Sequence, residues 1–178
     1  MRKFNAYLVK FILLLLLAHA ILGSFQLLRV TDLHFAALGY TLLAACLVHA
    51  VIGLYLTIYP VRQSLKTHKW YWRQNASFWI IRFSGLAIVL LLGFHLAAFT
   101  TVVNGMLFLQ EFTWAKLLSL LLFVSAIFIH LLYSVKPLLL ADGILNFKER
   151  AAEYVLVYSI VTLFSIIALV AYFIFWNF

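Results

Sequence analysis

The chain has 178 residues, 67% of them hydrophobic and 10% charged, with a formal net charge of +8. That balance excludes an ordinary soluble protein, so the apolar environment comes from a bilayer rather than from a large internal core. The Lys and Arg residues lie in short stretches between apolar runs rather than along one exposed face, which argues for membrane topology and against nucleic acid. Cys46 is the single cysteine, which excludes an intrachain disulfide, and no Cys-x-x-Cys-His motif exists to attach haem covalently.

Taken in order, five apolar runs are long enough to span: residues 7–29, 33–59, 78–103, 114–139 and 151–176. Each exceeds the ~20 residues that a hydrocarbon core of ~30 Å requires. The runs are continuous rather than alternating, which excludes a closed barrel and leaves helices, whose backbone groups satisfy one another. The expected fold is an all-α integral membrane protein, a five-transmembrane-helix bundle forming one domain over 1–178. Met1-Arg2-Lys3 before an apolar run also has the look of a secretory signal. The run is longer than a signal core, however, and Gly23-Ser24 is a weak cleavage site, so it is read as the first helix. Pro60 and Pro137 fall near span ends, where they are expected to terminate helices rather than break them.

Orientation follows from the basic residues. With the N-terminus inside, the inner side receives Arg2, Lys3, Lys10, Arg62, Lys66, Lys69, Arg73, Arg82, Lys136, Lys148 and Arg150, against Arg29 and Lys116 outside. This asymmetry places the N-terminus in the cytoplasm and the C-terminus on the outer side. Tyr59, Trp70, Tyr71, Trp72, Trp79, Trp114 and Trp176 lie near span ends, as interfacial aromatics do. The loops, 30–32 and 104–113 outside and 60–77 and 140–150 inside, are too short for a soluble domain. Any aqueous chemistry must come from other chains.

Four of the five runs carry one histidine each: His19, His49, His95 and His130. An imidazole inside a hydrocarbon-length segment needs a partner, so such residues point to function. At a rise of ~1.5 Å per residue, His19 and His95 lie roughly 12–15 Å from the outer span ends, and His49 and His130 roughly 22–24 Å. The depths sort them into an outer pair, His19 with His95, and an inner pair, His49 with His130. Two facing imidazoles in an apolar bundle suit a bis-histidine haem, and two stacked haems make an electron path through the membrane. Small residues beside the ligands fit a macrocycle: Gly23, Gly53 and Ser134 lie four positions after a histidine, and Ala45 and Ala126 four before. The same residues also serve close helix packing, and His95 has Leu91 and Phe99 at those positions. Zinc fits less well, since no carboxylate or second histidine adjoins any of the four. A proton relay would need buried acids, and none of Asp32, Glu111, Asp142, Glu149 and Glu153 is near mid-span.

Three further features have two readings each. Arg82 and Lys136, inside the inner ends of their spans, suit either haem propionates or snorkelling to the interface. Gln26, Arg29, Asp32 and His34 form an outer polar group, either an ordinary loop or a quinone or proton site. His68, in the inner loop, is either solvated or in contact with a partner subunit.

His49-Ala-Val-Ile-Gly53-Leu-Tyr, Arg82-Phe-Ser-Gly85 followed by Gly93-Phe-His95, and Ile129-His130 together resemble the di-haem cytochrome b membrane subunit of succinate dehydrogenases and quinol:fumarate reductases. The resemblance covers nearly the whole chain, and Lys66-Thr67-His68-Lys69 is most similar to the fumarate reductase branch. It implies two haem b groups, with His49 and His130 on the iron nearer the soluble subunits and His19 and His95 on the distal iron. It also implies an iron–sulfur subunit and an FAD-containing flavoprotein on the cytoplasmic face of a bacterial inner membrane, and menaquinone as exchangeable substrate near the outer side. The first outer loop is only a few residues long, so the carboxylate that some relatives place there has Asp32 or His34 as its replacement. Two other functions remain open. One is a cytochrome b of a hydrogenase or formate dehydrogenase, where two ligands about a dozen residues apart share one helix, a pair absent here. The other is a haem-free anchor or small transporter, against which five uninterrupted spans argue.

Overall fold

A computed structural model describes residues 1–27, 36–98, 101–103, 106–108 and 111–143, with scattered positions between 159 and 174. Helices α1 (Arg2–Leu27), α2 (Ala36–Thr67), α3 (Ala76–Ala98) and α4 (Trp114–Ala141) account for most of them. Strands β1 (Thr101–Val103) and β2 (Met106–Phe108) lie between α3 and α4. Among the described residues four helices are thus long and apolar enough to cross a membrane, compatible with a multi-pass protein. The expected fifth span, 151–176, lies outside the described residues except at single positions such as Ser159, Leu163, Ile166 and Phe173, which are helical.

Several boundaries differ from the sequence expectation. The first helix begins at Arg2 rather than Tyr7, which brings Asn5 onto its surface. The second does not stop at Tyr59; it runs through Pro60 to Thr67. A proline removes one backbone donor and crowds the preceding turn, yet the flanking turns hold, and the helix ends where His68 turns left-handed at φ 53°. Pro137 likewise lies inside α4, which continues to Ala141. The third helix stops at Ala98, five residues short of Val103. Thr100-Thr101-Val102-Val103 is a β-branched run that favours extended backbone. Its strand pairs antiparallel, Thr101 with Phe108 and Val103 with Met106. The intervening Asn104-Gly105 is the dipeptide preferred in two-residue hairpin connections.

The ends of α4 are built from local hydrogen bonds. Thr113 caps its start, Oγ1 accepting from the Lys116 N–H at 3.2 Å. At its end the Asp142 N–H donates to the Leu138 carbonyl, and Gly143 takes φ 70°. Within the spans, Ser24, Thr57 and Ser84 donate to the carbonyl four residues earlier at 2.6–2.7 Å, hiding hydroxyls that lipid cannot solvate.

Helix α3 packs along α4, α1 lies against α2, and α2 touches α3 more lightly. Lys10 Nζ, 2.8 Å from Asp142 Oδ1, joins α1 to the residue that caps α4. The four helices therefore form a ring in which α1 faces α3, and α2 faces α4, across the diagonals. The tight core sits between α3 and α4: Ala98 with Leu117, Leu120, Phe123, Val124 and Ala126. Of these, Leu117, Leu120 and Val124 follow at intervals of three and four residues, as one helix face requires. Large apolar side chains such as Leu14, Val51, Leu90 and Leu122 are exposed, the surface a protein offers to lipid.

Candidate functional site

Each histidine sits on a different helix, and the rings meet across the two diagonals. His19 of α1 lies opposite His95 of α3, with ring centres 6.2 Å apart and planes at 75°. His49 of α2 lies opposite His130 of α4, at 6.4 Å and 81°. These are the two pairs expected from depth. The levels are separated by the same interval on two helices. On α2, Gly39 borders His19 and His49 lies ten positions further; on α3, Gly85 borders His130 and His95 lies ten further. Ten residues of helix rise about 15 Å.

The inner pair is anchored from behind. His49 Nδ1 lies 3.0 Å from Asn5 Oδ1, a contact from α1. His130 Nδ1 lies 3.1 Å from Ser84 Oγ, a contact from α3. Ser84 is the buried polar residue among the described ones, and its hydroxyl has one hydrogen. That hydrogen goes to the Ile80 carbonyl at 2.6 Å, so toward His130 the oxygen accepts, and Nδ1 is the protonated ring nitrogen. The same hydroxyl also lies 3.2 Å from the Ile81 carbonyl. Both inner imidazoles thus spend Nδ1–H on an outward bond and keep the Nε2 lone pair, the arrangement of metal-ligating histidines. In the outer pair, the His95 ring stacks on Phe123, centres 4.9 Å apart and planes at 26°.

Glycines give the rings room. A Cβ at Gly85 would stand 3.3 Å from His130 Cε1, and one at Gly39 would stand 3.7 Å from His19 Cε1. A Cβ at Gly53 would meet Arg82 Nη1 at 3.4 Å, whereas one at Gly23 meets nothing within 4 Å among the described residues. Gly53 therefore seats a guanidinium.

Arg82 lies among these groups. Its guanidinium stands 5.1 Å over the Phe78 ring and borders Gly53 of α2, and its Nε is buried without a hydrogen-bond partner among the described residues. A buried guanidinium nitrogen left unpaired calls for an anionic acceptor. Lys136 is exposed toward the C-terminal end of α4. Arg29, Asp32 and His34 lie outside the described residues.

The donor set fits a haem with two axial imidazoles. A metal–nitrogen bond is roughly 2 Å and a ring centre lies about 1.1 Å behind its nitrogen, so two imidazoles on one metal place their centres about 6.2 Å apart. Edge-to-face aromatic pairs fall in the same distance range; the outward Nδ1 bonds of the inner pair favour ligation. Among the described residues no three His, Cys, Asp or Glu side chains converge; the imidazoles come together two by two.

Sequence reasoning placed the four histidines and Arg82 but missed Asn5, Ser84, Gly39 and Phe123. Ser84 stood inside the Arg82-Phe-Ser-Gly85 motif, and its burial in an apolar run was the available signal. Comparison with family models, with curated proteins and with solved structures gives no match.

Proposed function

We propose that this chain is the membrane-embedded cytochrome b subunit of a fumarate reductase or succinate dehydrogenase. It passes electrons between menaquinone and an iron–sulfur subunit through two bis-histidine haem b groups. The observation that carries the proposal is the pair of diagonal imidazole contacts, centres 6.2 and 6.4 Å apart, at two levels of one bundle. Bound there, each haem b supplies a one-electron couple inside the apolar bundle. His49 and His130 hold the inner iron, and His19 and His95 the outer. Asn5 and Ser84 orient the inner rings, and Arg82, with its unpaired Nε, takes a propionate. Its positive charge beside the inner pair favours the reduced state of that site.

The topology that goes with this function has five spans, the N-terminus in the cytoplasm and the C-terminus outside a bacterial inner membrane. It is supported by the placement of the basic residues. The iron–sulfur subunit, with its FAD flavoprotein beyond, then docks on the face carrying Arg62, Lys66, Lys69 and Arg73, and Arg29, Asp32 and His34 supply the quinone site on the opposite face.

Purified in detergent, the chain is expected to give a b-type reduced-minus-oxidised spectrum with two haems per polypeptide. His19→Ala or His95→Ala should remove one haem, and His49→Ala or His130→Ala the other. Absence of a b-type band, or survival of both haems in a His49→Ala/His95→Ala double variant, would refute the assignment. A nickel or molybdenum subunit in the purified complex, in place of a flavoprotein, would move the chain to a hydrogenase or formate dehydrogenase.

A further inference from the structure

Asn5, on the first turns of α1 between Phe4 and Ala6, has a polar side chain that electron transfer by ligand pairs does not by itself require. Its Oδ1 lies 3.0 Å from His49 Nδ1, in a partly buried contact between residues 44 positions apart. An amide oxygen only accepts, so the ring nitrogen facing it carries the proton, and the remaining lone pair is on Nε2. The two inner rings are not supported equally. His130 is held by Ser84, whose hydroxyl is itself fixed by the Ile80 and Ile81 carbonyls of its own helix, whereas among the described residues His49 is held by Asn5, a residue of another helix.

We propose, on the reading that His49 is a haem ligand, that Asn5 is its positioning residue: it fixes the tautomer and rotation of the imidazole and sets how strongly Nε2 donates to the iron. The physical reason is polarisation. A hydrogen bond that draws the Nδ1 proton outward raises electron density at Nε2, and a more donating ligand stabilises the oxidised metal. Removing the acceptor therefore raises the midpoint potential of the inner haem, and an anionic acceptor in the same place lowers it. The outer haem, about 15 Å away by helix rise, keeps its potential.

The test is a spectroelectrochemical titration of the full-length chain, purified with its haems, as wild type, Asn5→Leu and Asn5→Asp. In Asn5→Leu one of the two b components should shift upward by about a tenfold change in oxidised-to-reduced ratio at fixed potential, which is about 59 mV for one electron. In Asn5→Asp the same component should shift downward while the other stays at its wild-type midpoint. Loss of the inner component alone in Asn5→Leu, with the outer retained, also supports the role, because an unsupported ring no longer ligates. If Asn5→Leu loses both components, Asn5→Asp decides: a downward shift supports the proposal and a wild-type midpoint overturns it. Wild-type midpoints for both components in both variants overturn the role of Asn5 and leave the haem assignment standing. A wild-type chain without any b-type band overturns the ligand assignment and this role with it.

Discussion

Ser84 and Gly85 are neighbours on α3 and act on the same ring in opposite ways: the hydroxyl holds His130, and the missing side chain lets it approach. A methyl at Gly85 would sit 3.3 Å from His130 Cε1, closer than ordinary contact, while one at Gly39 would sit at an ordinary 3.7 Å from His19. Overpacking of a fitted site costs about 1–3 kcal/mol, and here it falls on the His130 ring. Gly85→Ala is expected to reduce occupancy of the inner haem or broaden its spectral band, and Gly39→Ala to leave the outer haem intact; haem content per chain checks both. Arg82→Gln keeps part of the side-chain volume and removes the charge, so the inner midpoint should fall, with the outer unchanged, in the same kind of titration. The four histidines themselves were legible in sequence because an imidazole inside an apolar span is rare enough to stand out. Their supports were not, because a serine that bonds back to its own helix is the usual intramembrane serine. That Ser84 also reaches His130 depends on how α3 and α4 pack, which no local pattern records.

At the scale of the elements, depth alone paired the histidines, since rise per residue is fixed and a spanning helix has little freedom along its axis. The pairs survived even though the ends of α2 and α3 moved, because the two shifts did not change which rings share a level. The boundaries were less legible. Thr100-Thr101-Val102-Val103 scores as apolar and extends a hydropathy window, while its branching favours the strand that forms. The diagonal arrangement also fixes ring orientation: the planes cross at 75° and 81°. Crossed axial imidazoles donate into different iron d orbitals and keep those orbitals nearly equal in energy, whereas parallel rings split them. Both ferric haems are therefore expected to give strongly anisotropic low-spin resonances at low field in frozen-solution EPR. A pair of ordinary rhombic low-spin signals would show that the rings rotate toward parallel when metal is bound.

For the molecule as a whole, the basic residues and the helix ring make one claim about sidedness that labelling can decide. Eleven Lys and Arg residues fall on the side expected to be cytoplasmic and two on the other, a bias that sets orientation during insertion. The fold adds an internal constraint. Lys10, in the first half of α1, is paired with Asp142, just past the end of α4, so the beginning of the first span and the end of the fourth approach one another, as an even number of crossings requires. Because Cys46 is the single cysteine, a Cys46→Ser background carries no thiol, and new cysteines report position without ambiguity. Lys3→Cys and Lys66→Cys, both at exposed positions at helix ends, should resist a membrane-impermeant maleimide in intact cells and react after permeabilisation. Glu111→Cys, exposed between β2 and α4, should react in intact cells. The opposite pattern would invert the bundle and place the basic surface outside, away from any cytoplasmic iron–sulfur partner. The histidine pairs would be untouched by that inversion, since both levels lie within the spans, but on the proposed function the direction of electron flow would have to be reassigned.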